Sequence, residues 1–178
     1  LYVGTLEPRK NIPRLVRAFS YAVVAKGLPH HLVIAGRKGR LFDDIFREVN
    51  LLNLSSKVHF PGFIEPADLA AVYTMAHAFV YPSLYEGFGL PCLEAMSCGA
   101  PVIASSTSSL VEIAAKSSLT FDPLSVDSLA EALSAVCVDA ELRERLSEAG
   151  IRRASRFSWL TTAKKTLEVY KRTRKEAR

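Results

Sequence analysis

Cysteines and long apolar stretches are both scarce in this sequence. Its 178 residues contain three cysteines, Cys92, Cys98 and Cys137, without C-x-x-C spacing or a neighbouring histidine pattern. A disulfide framework or zinc site is therefore not expected, and we interpret the cysteines as small buried residues in a reducing compartment. No run of 18 or more apolar residues occurs, and no basic segment followed by an apolar one marks the N-terminus. These absences predict a soluble, cytoplasmic protein.

Several widespread motifs are missing as well. Neither G-x-x-x-x-G-K-[ST] nor G-x-G-x-x-G occurs, so both common nucleotide-binding fingerprints are absent. The basic segment 36–40 lacks the spacing of a phosphate loop, and we interpret it as a turn that borders a cleft. No G-x-S-x-G elbow is present, which disfavours hydrolysis by a serine nucleophile.

The composition is that of a globular domain. Hydrophobic residues make up 49% of the chain and charged residues 23%, which is ordinary for a domain with a sizeable core. We expect one domain over residues 1–178. The chain starts without methionine, inside a predicted strand, so we also expect a segment upstream of it.

Positive charge is concentrated at the C-terminal end. The net charge is +5, and the last fifteen residues contain seven lysines and arginines against two glutamates. No aromatic-rich basic platform or reading helix accompanies this cluster, so nucleic acid is not the expected partner. Anionic lipid and a simply solvated helix end both fit the pattern.

Six short β-type segments alternate with helical patterns: 1–5, 31–35, 57–60, 78–81, 101–104 and 119–121. This alternation predicts a parallel sheet with helices on both faces. Helix starts are indicated by Asn11 with Pro13, by Glu65 with Pro66, and by a capping box of Ser128 and Glu131. Beyond residue 123 the pattern is purely helical. We therefore predict an α/β domain with a Rossmann-like, doubly wound parallel sheet of about six strands and a helical C-terminal extension.

The segment 83–96 contains the clearest functional signal. It follows a predicted buried strand and places a Gly-rich turn at the start of a helix, where free N–H groups form an anion site. Gly87 and Gly89 allow a ligand to approach the backbone closely. Pro91 suits the first helical position because its missing N–H is no loss there. The turn therefore has the layout of a phosphate pocket.

Two carboxylates lie on either side of this turn. Glu94 is placed one turn into the helix, within reach of two ribose hydroxyls, and Glu86 lies in the loop, within reach of a sugar ring. An ordinary strand, turn and helix with two solvated carboxylates also fits this spacing. The spacing alone leaves both interpretations open.

Two more loops follow predicted strands at the same edge of the sheet, where ligands of such sheets bind. Arg9 and Lys10 precede a helix after the first strand and suit a diphosphate, although a solvated turn fits as well. Phe63 and Ile64 follow the third strand and suit a flat base, although core packing fits as well. The hydroxyls of residues 105–109 fit either a cleft or a helix start.

Taken together, these segments resemble the C-terminal, donor-binding half of retaining glycosyltransferases of family four, which have the two-domain B-type (GT-B) fold. The resemblance covers nearly the whole chain. Its most specific element is the spacing of Glu, seven residues and Glu within E-G-F-G-L-P-x-L-E-A-M at 86–96. The other matching segments follow in the family's order and are 3–11, 32–36, 58–62, Glu112 and 122–123. The combination also resembles bacterial mannosyltransferases of surface polysaccharide synthesis.

The resemblance implies a role for each matching residue. Arg9 and Lys10 would neutralise the diphosphate, Glu86 would contact the transferred sugar, and Glu94 would bind the ribose. Backbone groups would hold sugar and phosphate at Gly87, Phe88, Gly89 and Leu90, and the base would lie at Phe63 and Ile64. Gly4 and Thr5 would also lie at the donor. Many relatives have Gly-Arg at these two positions, so one phosphate-binding arginine is missing and Arg9 would carry more of its task.

The resemblance also implies the chemistry and the partners. A hexose would move from a nucleotide sugar, with GDP-mannose as the first guess, to a glycan or lipid-linked acceptor, without a metal or other cofactor. The acceptor-binding N-terminal domain would precede this chain, and the last helix, from about residue 158, would cross towards it. The basic end of that helix would make peripheral contact with the cytoplasmic face of a membrane. A catalytically silent sugar-nucleotide sensor or scaffold, a sugar-nucleotide epimerase and a glycogen-type synthase are the alternatives.

Overall fold

The computed structural model describes residues 1–24 and 26–176. Within these ranges the chain forms six strands and eight α-helices. The strands are β1 (Tyr2–Val3), β2 (Leu32–Ala35), β3 (Val58–Gly62), β4 (Phe79–Tyr81), β5 (Val102–Ser105) and β6 (Leu119–Phe121). The helices are α1 (Ile12–Phe19), α2 (Asp43–Leu51), α3 (Pro66–Met75), α4 (Leu90–Ser97), α5 (Leu110–Ala114), α6 (Val126–Val138), α7 (Ala140–Ala154) and α8 (Trp159–Glu176).

The strands form two parallel sheets of three strands each, in the orders β1-β2-β3 and β4-β5-β6. Leu1 connects them, because its N donates to the carbonyl of Ala78 and its carbonyl accepts from the N of Val80, both at 2.8 Å. β1 therefore lies beside β4, where the direction of winding reverses in a doubly wound fold. The predicted α/β class is confirmed, but β1 is only two residues long and the two halves are separate three-stranded sheets.

Apolar residues at helical spacing form much of the core. In α1 and the helical turn that follows it, Leu15, Val16, Phe19 and Val23 are at most 3% exposed. The stripe of α6 is also buried and consists of Leu129, Ala132, Leu133 and Val136. Burial of each such large apolar side chain contributes about 1.5–3 kcal/mol. Tyr2 and Tyr81 stack between the two sheets with ring centroids 6.3 Å apart, which fixes the strands that precede the site.

Two of the predicted helix starts are wrong in detail. Asn11 precedes α1, but its side chain makes no cap hydrogen bond; its amide donates instead to carbonyls of two other loops. α6 begins at Val126, and Ser125 caps it by accepting from the N of Ser128, so the predicted capping box does not form. The start at Pro66 is confirmed.

The C-terminal helix was predicted from about residue 158, and α8 begins at Trp159. Every side chain over residues 159–174 is exposed, including Trp159 at 78% and Tyr170 at 68%. Arg178, which belongs to the predicted basic end, lies outside the described residues. Across the ranges that the structure describes, no helix has both the length and the apolar character that crossing a bilayer requires.

The three cysteines are free. Cys92 is buried in α4, whereas Cys98 and Cys137 are partly exposed. The prediction that all three are buried is therefore correct only for Cys92, because the other two lie at or near helix ends.

Candidate functional site

The loops that follow β1 and β4 lie side by side at the carboxyl ends of their strands. The N of Leu84 donates to the carbonyl of Arg9 at 2.8 Å. The amide of Asn11 donates to the carbonyls of Pro82 and Pro123, at 3.1 and 2.9 Å. Asn11 is 7% exposed and has φ of 59°, a conformation that asparagine tolerates better than most residues. These contacts bring the two loops together, as the sequence predicted.

A buried ion pair lies where the loops meet. Lys10 Nζ is 2.5 Å from Glu86 Oε1, and the two side chains are only 7% and 9% exposed. The same Nζ donates to the Tyr81 hydroxyl at 2.7 Å. A buried charge without a partner is strongly unfavourable, so each of these two residues requires the other.

Arg9 extends the ion pair towards solvent. Its Nη1 is 2.9 Å from Glu86 Oε2, its Nη2 is 2.7 Å from Glu7 Oε1, and its side chain is 48% exposed. The sequence predicted two cations facing a diphosphate. In the structure both cations already contact carboxylates, so a phosphate would compete with Glu86 and Glu7 for Arg9. The exposed arginine can turn away from these partners more readily than the buried lysine.

Glu86 is ionised in this surrounding. Burial is the largest single influence and raises its pKa, but the hydrogen bonds to its carboxylate, the one from Lys10 first, act together with the charge of Lys10 and bring the pKa of Glu86 below its ordinary value. Burial and the neighbouring Glu86 charge raise the pKa of the Tyr81 phenol. Tyr81 is therefore a neutral hydroxyl beside a charged pair.

The Gly-rich turn between β4 and α4 has one position, Gly89, where the backbone conformation and the neighbouring side chain require glycine. Gly89 has φ of 106°, and an added Cβ would lie 2.6 Å from Leu110 Cδ2. Around Gly87, an added Cβ would meet no atom within 4 Å. No side chain caps α4, which begins at Leu90, one residue earlier than the predicted start at Pro91. The turn thus presents an open surface at Gly87 beside an uncapped helix start.

Serine hydroxyls at the end of β5 and in the loop before α5 fix this turn. Ser108 Oγ accepts from the N of Glu86 at 3.0 Å, and Ser109 Oγ donates to the carbonyls of Glu86 and Phe88 at 3.0 and 2.9 Å. Ser105 donates to the carbonyl of Ser83 at 2.6 Å. The sequence left the role of this segment open. Its contacts follow from the pairing of β4 with β5, which places the loops after these strands side by side.

Glu94 lies on the exposed side of α4 and has a quite different surrounding. Its carboxylate is exposed, and Tyr73 of α3 donates its hydroxyl to Oε2 at 3.0 Å. Tyr73 itself is 1% exposed. Tyr73 is one of the apolar-spaced residues of α3, and that spacing gives no sign of this polar contact.

The remaining predicted donor-binding residues lie at the ends of β1 and β3. Gly4 donates its N to the carbonyl of Ala35 at 3.0 Å, and the side chain of Thr5 is exposed. Phe63 is 47% exposed, and the Arg37 guanidinium lies over its ring, 4.3 Å from the centroid. Ile64 lines an apolar cavity of about 510 Å³.

The structure brings together only some of the predicted site residues. Hydrogen bonds or ion pairs connect Arg9 and Lys10 with Glu86. The contacts of Phe63, Ile64 and Glu94 are separate from that cluster.

The described ranges contain no group of three histidine, cysteine, aspartate or glutamate side chains that could share a metal ion.

Proteins of known name are similar to this chain in sequence and in fold. The O-antigen chain mannosyltransferase B of Escherichia coli is 37% identical over 171 residues, which are 96% of this chain and 45% of that protein. The solved sucrose-phosphate synthase of Thermosynechococcus elongatus is 31% identical, with a TM-score of 0.82 over 97% of this chain and 44% of that one. The chain therefore spans less than half the length of either relative.

A more distant solved structure shows the same fold. Anabaena HepE, determined in complex with UDP and glucose, is 21% identical and has a TM-score of 0.84 over 96% of this chain and 48% of that chain. In addition, the family described as Glycosyl transferases group 1 matches residues 1–153. Because this match extends over most of the sequence, the chain belongs to the group 1 family of glycosyl transferases.

Proposed function

We propose that this chain is the donor-binding part of a retaining glycosyltransferase that moves a hexose from a nucleotide sugar to a glycan or lipid-linked acceptor. The observation that carries the proposal is the buried Lys10–Glu86 pair, with Arg9 beside it, next to an uncapped helix start. Charged groups of both signs are fixed there at the reversal point of a doubly wound fold, which is where such folds bind ligands.

Arg9, Lys10 and the N-terminus of α4 act on the leaving group. When the bond between sugar and diphosphate breaks, negative charge gathers on the diphosphate and the sugar develops positive charge. Cations and N–H groups that are already in place stabilise this charge more than they stabilise the bound donor, and that difference lowers the barrier. In this proposal no metal is required, because two side-chain cations and a helix terminus take its place.

Glu86 acts on the sugar. Its carboxylate is charged, nearly buried, and fixed by Lys10 on one oxygen and by Arg9 on the other. When Arg9 turns to the diphosphate, Oε2 of Glu86 becomes free to accept hydrogen bonds from hydroxyls of the hexose. Donor binding and exposure of the sugar-binding oxygen would thus occur together.

GDP-mannose is the donor that we propose. The relative named as an O-antigen chain mannosyltransferase supports mannose. For the base, Arg37 lies over Phe63 at the predicted base loop, and an arginine fork matches the O6 and N7 acceptors of guanine. Adenine has a donor at the position of O6, and uracil has no N7. HepE was determined with UDP, so UDP is the competing nucleotide in the test.

The proposal includes two further partners of the chain, an acceptor-binding domain and a membrane surface. An acceptor-binding domain would cover the donor site, and α8, whose side chains are exposed over residues 159–174, would cross towards it. The basic residues of α8 would contact anionic lipid at the cytoplasmic face of a membrane that carries the acceptor. Sedimentation with anionic vesicles at low salt tests this membrane contact, and no binding there would remove it.

Calorimetric titration tests the nucleotide site. The chain would be titrated with GDP, UDP, ADP and GDP-mannose in the presence of EDTA, and folding would be checked by circular dichroism. We expect GDP to bind at least tenfold more tightly than UDP and ADP, and Arg37→Ala to reduce this preference. Arg40→Ala is the matched control from the same turn. If the folded chain binds none of these nucleotides, the proposed donor site is wrong.

Transfer by the full-length protein separates an enzyme from a silent sensor. Arg9→Ala is the variant of choice because Arg9 is half-exposed and its loss leaves the Lys10–Glu86 pair in place. We expect kcat to fall about 100-fold, the order that loss of one preorganised charge donor costs. Unchanged turnover in Arg9→Ala would contradict the proposed mechanism. Nucleotide binding without any transfer by the wild type would favour the sensor.

A further inference from the structure

A buried tyrosine contacts the exposed carboxylate of the predicted donor site. Tyr73 is 1% exposed, and its ring packs edge-to-face against Phe79, with centroids 5.4 Å apart and planes at 80°. Its hydroxyl donates to Glu94 Oε2 at 3.0 Å. The ring is fixed by the core, so the position of the hydroxyl is fixed as well.

The contact holds the Glu94 carboxylate in one orientation. A solvated glutamate on a helix samples several rotamers, and ordering it on ligand binding is unfavourable. A hydrogen bond from an immobile donor selects one rotamer in advance. The bond occupies one acceptor position of Oε2 and leaves Oε1 and the second position of Oε2 available. The remaining positions suit two adjacent hydroxyls.

We propose that Tyr73 is a positioning residue that orients the Glu94 carboxylate for the 2′- and 3′-hydroxyls of the nucleotide ribose. The inference rests on the proposed function, because it requires that a nucleotide binds with its ribose at Glu94. Tyr73 touches no substrate atom in this account and acts only through Glu94.

A nucleotide without ribose hydroxyls separates two roles of Tyr73. Loss of an orienting role should weaken only the nucleotide that has these hydroxyls, whereas loss of a structural role should weaken both. GDP and 2′,3′-dideoxy-GDP would be titrated into wild type, Tyr73→Phe and Glu94→Ala. Tyr73→Phe keeps the buried ring and removes only the donor. We expect it to weaken GDP binding about tenfold, the low end for one hydrogen bond to a charged group, and to leave 2′,3′-dideoxy-GDP unchanged. In the Glu94→Ala background, Tyr73→Phe should have no further effect on GDP.

Thr74→Val is the matched control. The Thr74 hydroxyl also connects α3 to the end of α4, through the carbonyl of Cys98 at 3.4 Å, but it does not contact Glu94. We expect its loss to leave the ratio of the two affinities unchanged.

Two results would overturn the inference and leave the donor site intact. One is GDP binding that Tyr73→Phe leaves unchanged. The other is an equal loss of affinity for both nucleotides, which would indicate a structural role. If the wild type binds neither nucleotide, the proposed function fails together with the inference.

Discussion

The two glutamates of the E-G-F-G-L-P-x-L-E segment lie eight residues apart and have opposite surroundings. Glu86 is 8% exposed and is paired with Lys10 and Arg9. Glu94 is exposed, and the one hydrogen bond that its carboxylate makes in the described part of the chain comes from the neutral hydroxyl of Tyr73. The Glu86 end is fixed by charge and burial, whereas the Glu94 end is open to solvent.

The difference assigns the two ends of this segment different expected roles, in stability at Glu86 and in ligand binding at Glu94. At the Glu86 end, removing a partner leaves a buried charge, so folding itself depends on the residues that we assign to chemistry. At the Glu94 end, the carboxylate can be changed with little effect on folding, and its loss should appear in ligand affinity. Substitutions at the two ends should therefore separate stability from binding.

Lys10 is the residue whose substitution should lower the free energy of unfolding the most. Lys10→Met keeps the length of the side chain and leaves Glu86 with the half-exposed Arg9 as its remaining cation. We expect the free energy of unfolding to fall by about 3 kcal/mol, as for other buried pairs that lose one member. Urea unfolding at pH 7 measures this change.

Glu94→Gln is the comparison for Lys10→Met, because glutamine can still accept the Tyr73 hydrogen bond. We expect its free energy of unfolding to lie within about 0.5 kcal/mol of wild type. If the two variants were equally stable, the contrast between the two ends would be wrong.

An intermediate effect is expected for the two glycines between the carboxylates. Gly89→Ala places a Cβ at φ of 106° and 2.6 Å from Leu110 Cδ2, so we expect a loss of about 1–2 kcal/mol. Gly87→Ala meets no atom within 4 Å and should leave stability nearly unchanged, while it weakens donor binding by occupying the open surface. Thermal unfolding and nucleotide titration of both variants check this. A Gly87→Ala variant that binds as wild type would show that no ligand lies against this glycine.

The smallest expected effect is the pH dependence that Glu86 contributes. Its pKa is lowered in the folded state, so its contribution to stability is complete above the ordinary glutamate pKa of about 4.3. The contribution is lost as the pH falls through the lower, folded value. The stability difference between wild type and Glu86→Gln should therefore be constant from about pH 7 to pH 5 and shrink below that. Urea unfolding over this series tests it, and a difference that widens in acid would contradict the assigned shift.

Sequence reasoning predicted the elements of the fold more completely than the contacts of the site. Apolar runs identified all six strands, and the rule that ligands bind at the carboxyl ends of parallel strands placed the loops of Arg9 and Glu86 together. The same rule says which residues share an edge, but it does not say which of them pair. The contacts of Lys10 and Arg9 with Glu86 span 76 and 77 residues of sequence and became visible only in the structure.

The error at Asn11 and the unforeseen contact of Tyr73 have one physical cause, which is that polar groups bond to partners on other elements. Asn11 was expected to cap α1, but carbonyls 71 and 112 residues away accept from its amide. Tyr73 lies on an apolar stripe, and periodicity describes its buried ring but not the hydroxyl that reaches Glu94. Local patterns cannot register such contacts, because these depend on how loops and helices meet in the folded chain.

A crystal structure of this chain with GDP would show whether Arg9 and the start of α4 hold the diphosphate. We expect the diphosphate to lie at the start of α4 and to contact Arg9, which has left Glu86, while Lys10 remains paired with Glu86. The ribose hydroxyls should contact Glu94, with the Tyr73 hydrogen bond retained. GDP bound elsewhere on the chain, with the contact between Arg9 and Glu86 unchanged and Glu94 in solvent, would contradict the account.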